Sequence, residues 1–128
     1  MRLLLDTHAL LWFLEDSPRL NPRAKAAIEY SGNEALVSLA SLWEIAIKSK
    51  LGKLELTEPF QVLFPAQLDI NGFAQLPIQL PHLHELERLP EIHRDPFDRL
   101  LIAQARAENL TLVSADRHYS AYGVPLLW

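Results

Sequence analysis

Five short apolar runs, Leu3 to Leu5, Ala35 to Val37, Phe73 to Leu76, Thr111 to Val113 and Val124 to Leu127, are too brief for helices, and helix-length segments separate them. Strands that alternate with helices predict a mostly parallel sheet, because parallel neighbours need long crossovers and those crossovers cover both faces. The first run feeds a helix rich in Ala9, Leu10, Trp12, Phe13 and Leu14. Ser17-Pro18 interrupts it, and Asn21-Pro22 opens another that ends near Ser31-Gly32. From Ser41 to Leu51, apolar residues are too dense for a narrow stripe, so most of this helix is expected to be covered before Gly52 stops it. Pro59 opens a further helix that Pro65 bends or ends, and Asn71-Gly72 turns the chain. Pro81 to Leu89 reads as a short helix, Asp95-Pro96 opens a longer one that Asn109 stops, and Asp116 starts a helical turn. At 128 residues the chain buries about two-thirds of its unfolded surface, which predicts one domain over residues 1–128.

This architecture directs attention to the acids. Right-handed crossovers place the loops after parallel strands along one sheet edge, where open α/β sheets bind ligands. Asp6 and Asp116 immediately follow strands, and Asp98 stands at the start of a helix. Each aspartate also fits a capping role: Asp6 before Thr7, Asp95 and Asp98 as N-cap and N3 around Pro96, Asp116 before the turn through Tyr119. Glu44 resists that explanation, since it lies inside its helix between Trp43 and Ile45. Its ordinary alternative is an ion pair with Lys48 one turn later. If the fold gathers these carboxylates, they repel unless a cation or protons join them. Magnesium or manganese suits an oxygen-only set, with the hydroxyls of Thr7 and Ser114 in support.

Other chemistries are poorly served. The chain has no cysteine, so it offers no disulfide, thiolate site or thiol nucleophile. His82 and His84 point to different helix faces, and His8, His93 and His118 lack zinc-ligand spacing, so they read as solvated, packed or substrate-adjacent. There is no glycine-rich phosphate loop and no nucleophile elbow. The net charge of −4 argues against broad attraction to nucleic acid but leaves room for a local site, since Lys48, Lys50, Lys53, Arg94 and Arg99 flank the acids. No apolar stretch approaches the roughly 20 residues of a membrane span, and the opening run is too short for a signal peptide. A cytoplasmic location is expected.

The segments Leu5-Asp6-Thr7-His8-Ala9-Leu10-Leu11-Trp12, Ser41-Leu42-Trp43-Glu44-Ile45, His93-Arg94-Asp95-Pro96-Phe97-Asp98-Arg99-Leu100-Leu101 and Val113-Ser114-Ala115-Asp116 resemble those of PIN-domain nucleases. More narrowly, they are similar to the VapC toxins of bacterial toxin-antitoxin pairs, over almost the entire chain. The resemblance implies an α/β/α sandwich and an endoribonuclease dependent on Mg2+ or Mn2+. It places the family's acids on Asp6, Glu44, Asp98 and Asp116, the hydroxyl that accompanies the last acid on Ser114, with Thr7 next to the first acid, and an auxiliary acid or cap on Asp95. Asp6, Asp98 and Asp116 would be the principal ligands, and Glu44 a ligand through water or a base. Arg99 and Lys48 are the candidates for RNA phosphate contact, with structural ion pairs as the alternative.

The resemblance also implies a cognate antitoxin, whose tail occupies the active groove, and a toxin homodimer. Trp12, Phe13, Trp43, Phe60 and Phe64 are candidates for such contacts or for the core. Two other readings stand beside this one. A magnesium-dependent phosphatase or receiver-like phosphotransfer domain would use Asp6 as nucleophile. A binding module without catalysis would assign every acid to a cap or an ion pair.

Overall fold

Leu3 and Leu5 enter one hydrophobic cluster and Leu4 enters another, as side chains of a strand must when both faces of its sheet are covered. A computed structural model describes residues 1–128 and shows this division throughout the sheet. Its strands are β1 (Arg2–Leu5), β2 (Glu34–Ser38), β3 (Ala74–Leu76), β4 (Thr111–Val113) and β5 (Leu126–Leu127). They pair in the order β3-β2-β1-β4-β5, and every neighbouring pair is parallel. The helices are α1 (Thr7–Leu14), α2 (Pro22–Glu29), α3 (Leu39–Lys50), α4 (Phe60–Leu63), α5 (Ala66–Ile70), α6 (Leu80–Arg88) and α7 (Pro96–Glu108), followed by a 3-10 turn at Arg117–Tyr122.

Ala9 and Leu10 of α1, Ile28 of α2, Ile45 of α3 and Leu68 of α5 pack with Leu3 and Leu5 on one face. Leu101, Ile102 and Ala105 of α7 join Tyr119 and Tyr122 against Leu4 on the other. The result is the expected three-layer α/β/α sandwich. No helix is long and apolar enough to cross a membrane. Chain order reverses between β1 and β4, the switch point at which doubly wound sheets open a crevice. The Asp6 N–H donates to the Val113 carbonyl at 3.0 Å, which holds the two strand exits side by side.

The third helix departs from expectation in two ways. It begins at Leu39, two residues before Ser41, because Ser38 ends β2 and its hydroxyl caps α3 by accepting from the Ala40 N–H. Full burial ends at Ile45: Ala40, Ser41, Leu42, Glu44 and Ile45 are buried, whereas Trp43 is 55% exposed. Trp43 therefore lies outside the core and meets Phe97 edge to face at 4.9 Å. Phe64 is buried, and Trp12, Phe13 and Phe60 are partly buried against the same core.

A polar chain runs through the opposite layer. Ser38 Oγ donates to Gln104 Oε1 at 2.5 Å, and Gln104 Nε2 donates to the Pro77 carbonyl at 3.3 Å. The Gln79 N–H donates to His82 Nδ1 at 3.0 Å, while His82 Nε2 faces Glu108 at 3.1 Å. Ser38, Gln104 and His82 are almost wholly buried, so this chain ties the end of β2 to α6 and α7 where water cannot substitute. Gln104→Leu leaves the Ser38 hydroxyl and the Pro77 carbonyl without their partner. It is expected to cost about 2 kcal/mol in urea unfolding. An unchanged midpoint would show that the network is not stabilising.

Candidate functional site

Four chain segments deliver the acids to the β1–β4 crevice. Asp6 follows β1 directly and caps α1, its Oδ1 accepting from the Ala9 N–H at 2.8 Å. Asp116 lies just beyond β4 and caps the 3-10 turn through the His118 N–H at 2.9 Å. Asp95 caps α7 by accepting from the Phe97 and Asp98 N–H groups, and Asp98 sits in the first turn of that helix. Glu44 reaches in from the middle of α3.

Capping and site formation thus coexist. Asp6, Glu44, Asp95, Asp98 and Asp116 all line one cavity of about 420 Å³, together with Lys48. Glu44 is buried, accepting from Thr7 Oγ1 at 2.6 Å and from Lys48 Nζ at 2.5 Å. The helical ion pair foreseen from the spacing exists, and it lies inside the cavity. Ser114 joins two of the acids: its hydroxyl donates to Asp6 and its oxygen accepts from the Asp116 N–H at 3.0 Å. The hydroxyls of Thr7 and Ser114 therefore orient carboxylates from behind the cavity wall.

The charges are poorly balanced, with five carboxylates facing one ammonium. Burial pushes the Asp6 carboxyl above the ordinary range, and Glu44 adds to the rise against hydrogen bonds from Ser114 and Ala9. Burial likewise raises Asp98, aided by Asp95 and Glu44 and opposed by a hydrogen bond from Tyr119. Asp116 differs. Burial raises its pKa, but hydrogen bonds from the His118 N–H and from the His93 and His118 rings outweigh that effect and hold it low. The bond that Lys48 donates to Glu44 raises the lysine pKa and keeps its ammonium charged.

Tyr119 lines the cavity, and His93 and Tyr122 stand behind Asp116; the sequence does not single out any of the three as a site residue. His93 Nε2 lies 3.3 Å from Asp116 Oδ2, and the Tyr122 hydroxyl accepts the His93 N–H at 2.6 Å while lying 3.2 Å from Nδ1. With the Tyr122 hydroxyl donating to an unprotonated Nδ1, the ring hydrogen sits on Nε2, aimed at Asp116. The available signal was the position of His93 in the same segment as Asp95 and Asp98. A search for spaced histidine pairs misses it because its partner is a carboxylate on another element.

Arg99 is placed differently from the expected phosphate contact. Its guanidinium donates to the carbonyls of Leu89, Pro90 and His93, pairs with Glu91 at 3.6 Å, and does not line the cavity. Its donors are spent on the loop that carries His93, the structural alternative to a phosphate contact.

The donor chemistry is that of a hard divalent cation, since every acidic ligand offers oxygen and the excess negative charge calls for compensation. No group of three or more acid or histidine side chains is gathered tightly enough to hold an ion by itself. The cavity of about 420 Å³ has room for an ion that keeps part of its water shell, as Mg2+ does.

Solved structures share this architecture. VapBC2 from Rickettsia felis, bound to a DNA fragment from its promoter, has a chain that superposes with a TM-score of 0.75 at 17% identity, covering 100% of this chain and 99% of that one. FitAcB from Neisseria gonorrhoeae gives 0.70 at 20% identity, covering 98% and 96%. VapBC-1 from nontypeable Haemophilus influenzae gives 0.69 at 13% identity, covering 99% and 97%. At these identities the likeness is one of fold, and no curated protein matches the chain. The sequence itself supplies the family: the model of the PIN domain matches residues 3–125, from the first strand to the threshold of the last. Its match spans all four acid-bearing segments, and the chain belongs to the PIN domain family, a family of nucleases.

Proposed function

We propose that the chain is the toxin of a toxin-antitoxin pair and cuts RNA phosphodiester bonds with the aid of bound Mg2+ or Mn2+. The observation that carries this reading is the convergence of five carboxylates on a single ammonium at the switch point of the sheet. When bound, the cation supplies Lewis acidity to a phosphate oxygen and makes a nucleophile of water near neutral pH.

The chain's own residues provide placement. Asp6, Asp98 and Asp116 hold the cation, directly or through its waters. Glu44 already carries hydrogen bonds on both oxygens, which suits it to contact through water. Thr7, Ser114 and Tyr119 fix the orientations of Glu44, Asp6 and Asp98, so little reorganisation accompanies the reaction. His93 does the same for Asp116. No side chain is required as a covalent nucleophile.

A partner follows from the neighbours, which are VapBC and FitAB complexes. In this reading a cognate antitoxin covers the acidic groove, the toxin forms a homodimer, and both act in the cytoplasm. Metal removal tests the catalytic part. Protein stripped with a chelator is expected to leave single-stranded RNA intact, and added Mn2+ is expected to restore cleavage. Cleavage that persists in the chelator would remove the metal from the mechanism. Phosphate found covalently on Asp6 after incubation with a small phosphodonor would favour the phosphotransfer reading instead.

A further inference from the structure

No lysine or arginine inside the acidic cavity is free to hold a polyanion. Lys48, the one such residue that lines it, is bonded to Glu44, and Arg99 is spent on backbone carbonyls outside it. Arg94 and Arg117 are exposed on adjoining loops but do not line the cavity. Five carboxylates repel phosphate, and a bound divalent ion offsets only part of that charge. Substrate affinity at the cavity must then draw on aromatic surface.

Two side chains of α1 supply such surface. His8 and Trp12 lie one helical turn apart and both border the cavity, with ring centroids 5.6 Å apart and planes tilted by 37°. Trp12 stands in turn 5.8 Å from Trp128, so its ring is flanked by two others. His8 is exposed, while Trp12 is only partly buried and rests on the core beneath. A rigid, anchored ring with an open portion beside a phosphate-handling site is the arrangement that single-strand binders use for bases.

We propose that His8 and Trp12 form a subsite that stacks an unpaired nucleobase of single-stranded RNA next to the scissile phosphate. This rests on the nuclease reading of the acids. A base presents a neutral π-face, so it tolerates the negative cavity better than a second phosphate would. Bases in a duplex already stack on one another and cannot offer that face, which makes the subsite selective for single strands. Because stacking releases few counterions, affinity should vary only shallowly with salt.

The test uses the full chain carrying Asp6→Asn, which keeps RNA intact, and a fluorescein-labelled octaribonucleotide of mixed sequence in Mg2+, read by anisotropy. Trp12→Ala is expected to weaken binding about tenfold to a hundredfold, and Trp12→Phe to keep it within about threefold. The corresponding duplex is expected to bind more weakly than the single strand, and Trp43→Phe, outside the cavity, to leave binding unchanged. In the chain with Asp6 intact, Trp12→Ala should raise KM with little change in kcat. If Trp12→Ala does not fold by circular dichroism, His8→Ala takes its place with a smaller expected loss. Unchanged affinity in the folded variant, or duplex bound as well as single strand, overturns the subsite. Loss of antitoxin binding with RNA binding intact also overturns it and makes the rings a protein contact. Absence of RNA cleavage by the unsubstituted chain defeats the nuclease reading itself, whereas cleavage with a Trp12-independent KM defeats only this inference.

Discussion

Asp6→Asn is expected to lower metal-dependent RNA cleavage by about a hundredfold or more while raising the thermal stability of the metal-free protein. Asparagine caps a helix about as well as aspartate, so the bond from the Ala9 N–H survives. It is a poor ligand for a hard cation, and the catalytic loss should at least match the 10–100-fold typical of disturbing a metal site's supporting residues. The stability gain comes from removing a buried charge that Glu44 repels. A raised folded-state pKa means that the folded protein binds this proton more tightly than the unfolded chain. Stability therefore falls as pH rises from the unfolded carboxylate pKa, near 4, through the folded value, and the full penalty is present above it. Asparagine should recover about 1 kcal/mol at pH 7, roughly 4 °C in Tm, and nothing below about pH 4. Calorimetry at the two pH values with chelator, beside a cleavage assay, reads both effects. Full cleavage by the variant would end the metal reading, and unfolding would return Asp6 to a purely structural role.

That coupling explains how the sequence could be read so far and no further. The strands were legible because the two-sided burial of a parallel sheet leaves continuous apolar runs such as Leu3 to Leu5 and Leu110 to Val113. Asp6 and Asp116 were legible through their place after those runs. Glu44 stood out because no cap could explain it. Trp43 misled, since apolar density says that a helix is flanked on several sides but not which residue faces the gap between neighbours. Arg99 also misled. Its adjacency to Asp98 suggests a shared target, yet neighbours on a helix point about 100° apart, and the arginine turns to the loop before α7. His93 required knowledge that the segment before α7 and the turn after β4 meet in space, which local periodicity does not encode.

Lys48→Met is expected to destabilise the metal-free protein by roughly 2 kcal/mol and to make its stability depend more steeply on Mg2+. The lysine was a candidate for RNA contact in the sequence, but its ammonium is bonded to a carboxylate whose side chain is only 5% exposed. Removing one member of a buried pair typically costs 3–5 kcal/mol, because the other charge is left without compensation. The lysine side chain is 37% exposed, so water reaches the pair and the lower figure follows. Thr7 alone cannot neutralise Glu44. A divalent cation can, and Mg2+ should therefore restore more stability to Lys48→Met than it adds to the unsubstituted chain. Glu44→Gln keeps the Thr7 bond without the charge, so it should change stability by less than about 1 kcal/mol, and combining it with Lys48→Met should recover most of the loss. Urea unfolding of the four proteins with and without Mg2+ closes the cycle. If Lys48→Met is as stable as the parent but raises KM for RNA, the ammonium serves the substrate after all and its bond to Glu44 is incidental.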